Sequence, residues 1–287
     1  MPGVQDRVIV VTGAGGGLGR QYALTLASEG ANVVVNDLGG ARDGTGAGSA
    51  MADSVVAEIK EAGGRAVANY GNVADTDGAA NIVKTALDEF GAIHGVVSNA
   101  GILRDGTFHK MPFENWDSVL KVHLYGGYNV IRAAWPHFRE QGYGRVVVAT
   151  STSGLFGNFG QANYSAAKLG LVGLINTLAQ EGAKYNIHAN AVAPVAATRM
   201  TEDILPPEVL DKLKPEYVAP VVAYLCTEES TDSGSVFIVG GGSVQRVALF
   251  QNKGPKFDTP PSVDDIAAHW AEITDLSDAK QATFSLG

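Results

Sequence analysis

The sequence predicts an α/β fold of the Rossmann type: a doubly wound parallel sheet of about seven strands with helices on both faces. Three observations carry this expectation. Short, continuous apolar runs recur along the chain; amphipathic stretches of helical length separate them; and the first run passes through a glycine-rich turn straight into a helical segment.

The runs Val8 to Val11, Val33 to Val35, Gly95 to Ser98, Val146 to Thr150, Ile187 to Val192 and Val236 to Val239 read as strands buried on both faces, and Arg65 to Ala68 adds a weaker one. Helical stretches begin near Leu18, Met51, Thr76, Phe113 and Ala162 and alternate with the strands. Ligands then belong at the carboxyl ends of the strands. Two regions interrupt the rhythm. The glycine-rich segment Leu38 to Ser49 opens no strand-to-helix turn and is expected to be a flexible surface loop rather than a phosphate loop. Prolines and small residues break up Pro194 to Pro215, the natural lid over a substrate. After Gly240-Gly241-Gly242 the sheet reads as finished. Residues 1–242 are thus expected to form one domain carrying both the cofactor and the catalytic sites. Residues 243–287 form an extension packed on the same domain or on a partner subunit, with a helical stretch at Val263 to Ile273.

At 287 residues, 45% of them hydrophobic and 18% charged, the chain suits a globular α/β protein with one large core. The net charge of -9 argues against a protein that neutralises many phosphates, so nucleic acid is not an expected partner. Cys226 is the only cysteine, which forbids an internal disulfide; no metal site is expected, and a reducing, cytoplasmic setting fits. No run approaches roughly eighteen apolar residues, so no membrane span is expected. The first residues lack a basic segment followed by an apolar one, and Ser285-Leu286-Gly287 does not match a peroxisomal Ser-Lys-Leu address.

The segment Thr12-Gly13-Ala14-Gly15-Gly16-Gly17-Leu18-Gly19 joins the first strand to the helical stretch Arg20 to Ser28. A helix N-terminus offers unpaired N–H groups and a positive dipole end, and glycines let a pyrophosphate approach the backbone, so a dinucleotide is expected here. Thr12, Gly13, Gly17, Leu18 and Gly19 are the candidate contacts. Asp37 closes the second strand, where a carboxylate can bind both ribose hydroxyls and repel a 2'-phosphate; it selects NAD, although Arg42 nearby would suit NADP. Ser98-Asn99-Ala100-Gly101 ends the fourth strand with small residues, which makes Asn99, Ala100 and Gly101 further candidates, and Asn72 and Val73 after the third strand join them.

Tyr164 and Lys168 lie one helical turn apart on the same face, and Ser151 stands at the carboxyl end of the fifth strand, at the same edge of the sheet. In motif content, order and spacing over about Arg7 to Gly242, the chain resembles the short-chain dehydrogenase/reductase family. That resemblance implies that Tyr164 moves the hydroxyl proton, that Ser151 holds the substrate oxygen, and that Lys168 binds the nicotinamide ribose. The chemistry agrees: a nearby ammonium lowers a phenol's pKa, and a hydroxyl donor stabilises alkoxide-like charge. Ser151 and Tyr164 are accordingly the substrate-binding residues. The family often has a proton-relaying asparagine where this chain has His123, within Val122-His123-Leu124; His123 is either a relay through its ring nitrogen or a satisfied core histidine. The segment Asn190 to Thr198 resembles the family's grip on the nicotinamide carboxamide, which implies contacts at Pro194, Val195 and Thr198.

A closer resemblance is to the (3R)-hydroxyacyl-CoA dehydrogenase part of the peroxisomal multifunctional enzymes of type 2. It rests on Asn36 to Gly40, Ala66 to Tyr70, Gly101 to Asp105, Gly157 to Tyr164 and Lys214 to Pro220. It implies NAD-dependent oxidation of a (3R)-3-hydroxyacyl-CoA to the 3-ketoacyl-CoA, with hydratase and thiolase activities supplied by separate proteins. The family resemblance also suggests a homodimer or homotetramer. The alternatives are a reductase for other ketones, for hydroxysteroids or for 3-ketoacyl carrier proteins, and, from another class, an NAD(H)-sensing or scaffold protein.

Overall fold

The structure is a computed structural model that describes residues 3–196 and 213–282. Its first strand, β1 (Val8–Thr12), and second, β2 (Asn32–Asn36), are buried along their whole length, as β-branched runs covered on both faces must be. Between them runs α1 (Gly17–Ser28). The chain continues through α2 (Ala50–Glu61), β3 (Arg65–Asn69), α3 (Thr76–Phe90) and β4 (Gly95–Ser98). The α3 helix shows how the sequence punctuates itself. Asp75 caps its start by accepting from the Asp77 N–H, and Gly91 ends it in a left-handed conformation with φ of 77°.

A long helical run follows, α4 (Phe113–Leu120) and α5 (Gly126–Gln141), joined without a break by one π-type turn, Lys121–Tyr125. Then come β5 (Gly144–Ala149), the short α6 (Thr152–Phe156), α7 (Ala162–Gly182), β6 (Ile187–Pro194), α8 (Ala219–Leu225) and β7 (Val236–Gly240).

The strands are ordered β3-β2-β1-β4-β5-β6-β7, with an eighth, β8 (Ser243–Val247), beside β7, and the pairings from β3 to β7 are parallel. The chain therefore starts mid-sheet, winds outward to β3, and crosses back to β4. That reversal between β1 and β4 is the switch point where a doubly wound sheet opens a crevice at its carboxyl edge. Register keeps the edge level: Thr12 is opposite Asn36, and Asn36 opposite Asn69. On one face, Val33, Val35, Leu26, Val55, Ile59 and Val222 form a continuous core. Each such fully buried aliphatic side chain contributes about 1.5–3 kcal/mol.

Two expectations need correction. The sheet has an eighth strand, β8 (Ser243–Val247), beyond the point where it read as finished. Gly241 and Gly242 both take positive φ, 56° and 82°, and so turn the chain tightly beside β7. The segment Leu38 to Ser49 lies largely exposed at the surface, yet it is tied down by main-chain hydrogen bonds. Gly48 N–H donates to Leu38 O, Ala41 N–H to Thr45 O, and Leu103 N–H to Arg42 O, which folds it against the stretch after β4.

By contact the chain divides into Met1–Gln245 and Arg246–Gly287. The second unit pairs β9 (Phe250–Gln251) antiparallel with β10 (Lys280–Gln281). Its helical stretch is broken at His269 into α9 (Val263–Ala268) and α10 (Trp270–Thr274), and a reciprocal Ser262–Asp265 capping box starts α9.

Candidate active site

The turn after β1 is built by exclusion of side chains. Gly13 has φ of 63°, and a Cβ there would lie 2.7 Å from the Ala100 Cα; one on Gly19 would lie 2.0 Å from Gly13 O. Helix α1 starts at Gly17 with no side-chain cap and no acidic residue in its first turn, so its N–H groups and dipole face the crevice uncompensated. Two polar side chains hold the turn. Thr12 Oγ1 accepts from the Asn99 and Ala100 N–H groups, both at 3.1 Å, and the Asn99 amide donates to Thr12 O and Gly13 O at 3.2 and 3.1 Å. This side-chain-free cradle at a helix N-terminus fits a pyrophosphate.

Asp37, one residue past β2, accepts from Gly15 N–H at 2.8 Å and from Gly39 N–H at 2.7 Å, so its carboxylate is fixed beside the glycine turn. Behind it the Asn36 amide donates to Asn69 Oδ1 and Gly71 O, and the Asn69 amide to Asn81 and Thr85. These bonds set the course of Gly71-Asn72-Val73. A cavity of about 400 Å³ runs from Asp37 past the turn to Tyr164 and Lys168. Gly13, Gly17, Leu18, Asn72, Val73, Asn99, Ala100, Gly101, His123 and Pro194 also line it. Among the other sequence-predicted residues, Thr12 and Gly19 lie behind the lining, Val195 gives its N–H to Val239 O, and Thr198 lies outside the described residues.

At the far end, Ser151 caps α6 by accepting from Ser153 N–H at 3.1 Å, and its side chain acts to lower the Tyr164 phenol. Ser151 stands just outside the cavity lining. Lys168 is buried on α7, donates to Ala149 O at 2.5 Å, and has its Nζ 5.5 Å from the centre of the Tyr164 ring. Burial alone pushes the Lys168 ammonium down to about 7. The Tyr164 phenol is held above its ordinary value, first by burial and then by the Asp105 charge, against the opposing Ser151 side chain. This reverses the expected direction: burial is the largest influence on the phenol, and it raises it.

His123 sits in the π-type turn, 2% exposed. Its Nε2 bonds Ile102 O at 2.8 Å, its ring meets that of Tyr164 edge-on at 5.2 Å, and its Nδ1 is buried without a partner. Burial and the Lys168 charge hold it down to about 3, so it is a neutral imidazole. Gly101 makes room for it, since a Cβ there would lie 2.2 Å from His123 Cε1.

Two positioning residues were not anticipated from the sequence. Asn163, fully buried, gives its amide to Arg104 O and Asn115 O while accepting from Tyr164 N–H at 2.8 Å. Thr150 Oγ1 donates to Lys168 O at 2.8 Å. An asparagine in the first turn of a helix, where N–H groups lack partners, was the available signal for Asn163.

Among the described residues no helix is long and apolar enough to cross a membrane. The chain is 84% identical over 286 residues to a short-chain type dehydrogenase/reductase of Mycobacterium tuberculosis, covering 100% of both. It is 52% identical over 278 residues to mouse peroxisomal multifunctional enzyme type 2, covering 96% of this chain but 37% of that protein. It is also 38% identical over 260 residues to a hydroxyacyl-CoA dehydrogenase of Mycobacterium tuberculosis, covering 85% and 80%. The solved full-length peroxisomal multifunctional enzyme type 2 of Drosophila melanogaster superposes with a TM-score of 0.82 at 41% identity, over 98% of this chain and 47% of that one. The family model for short chain dehydrogenases matches residues 7–208. With that match over most of its length, and with a glycine cradle in its cavity, Tyr164 and Lys168 at the far end and Ser151 beside them, the chain belongs to the short-chain dehydrogenase family, oxidoreductases acting on CH–OH groups.

Proposed function

We propose that this chain is an NAD-dependent dehydrogenase that interconverts a (3R)-3-hydroxyacyl-CoA and the corresponding 3-ketoacyl-CoA. The observation that carries the reading is one continuous cavity with a fixed carboxylate, Asp37, at one end and Tyr164 with Lys168 at the other. A carboxylate there suits two free ribose hydroxyls and opposes a 2'-phosphate. The acyl-CoA assignment draws on the likeness to a hydroxyacyl-CoA dehydrogenase and to multifunctional enzymes, of which this chain spans only part.

When bound, NAD supplies the acceptor of the substrate's hydride. The protein's part is to hold the substrate oxygen and move its proton. Ser151 is a side-chain neighbour of the Tyr164 phenol that acts to lower its pKa, and the two side chains offer two polar groups to one substrate oxygen. In the reducing direction, burial keeps the Tyr164 phenol protonated and ready to donate as negative charge develops on that oxygen. In the oxidising direction a Tyr164 tyrosinate receives the hydroxyl proton, and a charged Lys168 beside the ring stabilises it. The neutral His123 adds no competing positive charge.

Tyr164→Phe removes only the proton-carrying oxygen. It is expected to lower kcat about a hundredfold or more while NADH binding is unchanged. Steady-state turnover together with NADH fluorescence titration checks this, and near-normal turnover in that variant would sink the mechanism.

A further inference from the structure

The segment Leu38 to Ser49 lies directly after Asp37, and the family chemistry described above assigns it no task. Its fold is specific. Asp37 Oδ1 takes the Gly39 N–H, and Gly39, with φ of 75°, is packed so tightly against Gly48 that a Cβ would lie 2.0 Å from Gly48 O. Asp43 Oδ1 ties Thr45 through both its N–H, at 3.0 Å, and its hydroxyl, at 2.7 Å. From this compact base the segment reaches across the mouth of the crevice. Arg42 O accepts from Leu103 N–H at 3.1 Å, Asp43 O accepts from Arg104 Nε at 2.9 Å, and Gly44 faces the side chain of Ile102. Arg104 is itself anchored, through Ser118 Oγ to α4 at 3.3 Å and through its own carbonyl to Asn163, the neighbour of Tyr164.

Leu38, Gly40, Ala41, Arg42 and Gly44 consequently line the same cavity as Asp37, Asn72 and Val73. The sheet alone would leave that end bounded by the ends of β1 to β4. With the segment in place, a third wall runs from the Asp37 side to Ile102 and Arg104. We infer that the bonds from Leu103 and Arg104 to Arg42 and Asp43 latch residues 38–44 over the adenosine end of the cavity and slow release of the dinucleotide. The inference rests on the proposed reading of this cavity as the NAD site. A ligand held under such a wall leaves more slowly while the wall stays latched, so the latch should act mainly on the dissociation rate.

Two variants attack the latch from opposite sides. Arg104→Ala removes the bond to Asp43 O. Gly44→Val leaves every charged lining side chain in place but forces a β-branched residue into φ of 84°, with a Cβ 3.0 Å from Ile102 Cγ2. Stopped-flow displacement of NADH is expected to show about tenfold faster release from both variants, the loss of one charge-assisted bond. Affinity for reduced nicotinamide mononucleotide, which lacks the adenosine half, is expected to match the wild type. Unchanged NADH release in both variants, or equal weakening of the mononucleotide, would overturn the latch. Faster release from Arg104→Ala alone would overturn it too, by assigning the effect to that side chain's own contact. Failure of the wild type to bind NADH would instead overturn the cofactor reading on which the latch rests.

Discussion

Burial sets the chemistry of the three central side chains before any ligand is considered. It pushes Lys168 down to about 7, raises Tyr164, and keeps His123 neutral. The sequence left His123 either as a relay or as a core residue. Its Nε2 contacts with Ile102 N–H and O and its edge contact with the Tyr164 ring make it a link between the loop after β4 and Tyr164, with Nδ1 left buried without a partner. Asp37 carries a separate expectation. Asp37→Ala should narrow the preference for NAD over NADP by about tenfold, since it removes a charge-assisted acceptor and the repulsion of a 2'-phosphate together. The ratio of kcat/KM values for the two cofactors measures this, and an unchanged ratio would remove Asp37 as the discriminator. Ser151, Tyr164 and Lys168 were legible in the sequence because their spacing and strand-end position announce them. Asn163 and Thr150 were not, because their bonds run to main-chain atoms of Arg104, Asn115 and Lys168.

At the scale of elements, the turn between β1 and α1 is the most constrained piece of backbone in the site. Gly19→Ala places a methyl 2.0 Å from Gly13 O, backbone against backbone, so the turn must shift away from the Ala100 stretch it packs against. NADH affinity should fall about tenfold or more, with about 1–3 kcal/mol of stability lost. Titration and urea unfolding of the variant check both, and wild-type affinity would show that the cradle is not needed. The seven strands from β1 to β7 were readable because apolar runs must be buried on both faces. The strand β8 was not, since Ser243-Val244-Gln245-Arg246 is exposed and has no apolar run. The π-type turn at Lys121–Tyr125 leaves no mark in composition, and glycine content in the segment after Asp37 suggested flexibility where main-chain hydrogen bonds impose one fold.

For the whole molecule, the buried neutral groups couple stability to pH. Folded His123 titrates at about 3 against an ordinary 6.5, so between those values the unfolded chain binds a proton that the folded chain refuses. Its contribution is complete above about 6.5 and is lost as pH falls towards 3. Lys168 acts in another window: from 10.5 down to about 7 the unfolded chain alone takes the proton, so stability declines as pH falls through that range and no longer changes with pH through Lys168 below it. His123→Asn removes the acid-side term. Between pH 7 and about pH 4.5 the variant should lose about 2 kcal/mol less stability than the wild type by urea unfolding. Equal losses would mean that His123 does not stay neutral in the folded protein.

Oxidation of a (3R)-3-hydroxyacyl-CoA with NAD is the proposed reaction of this cavity. The direct measurement follows absorbance at about 340 nm, where reduced nicotinamide absorbs, with NAD or NADP and each epimer of a 3-hydroxyacyl-CoA. NADH formation is expected from the (3R) epimer with NAD, and little from the (3S) epimer or with NADP. No signal from either epimer, with protein shown to bind NADH, would contradict the substrate assignment.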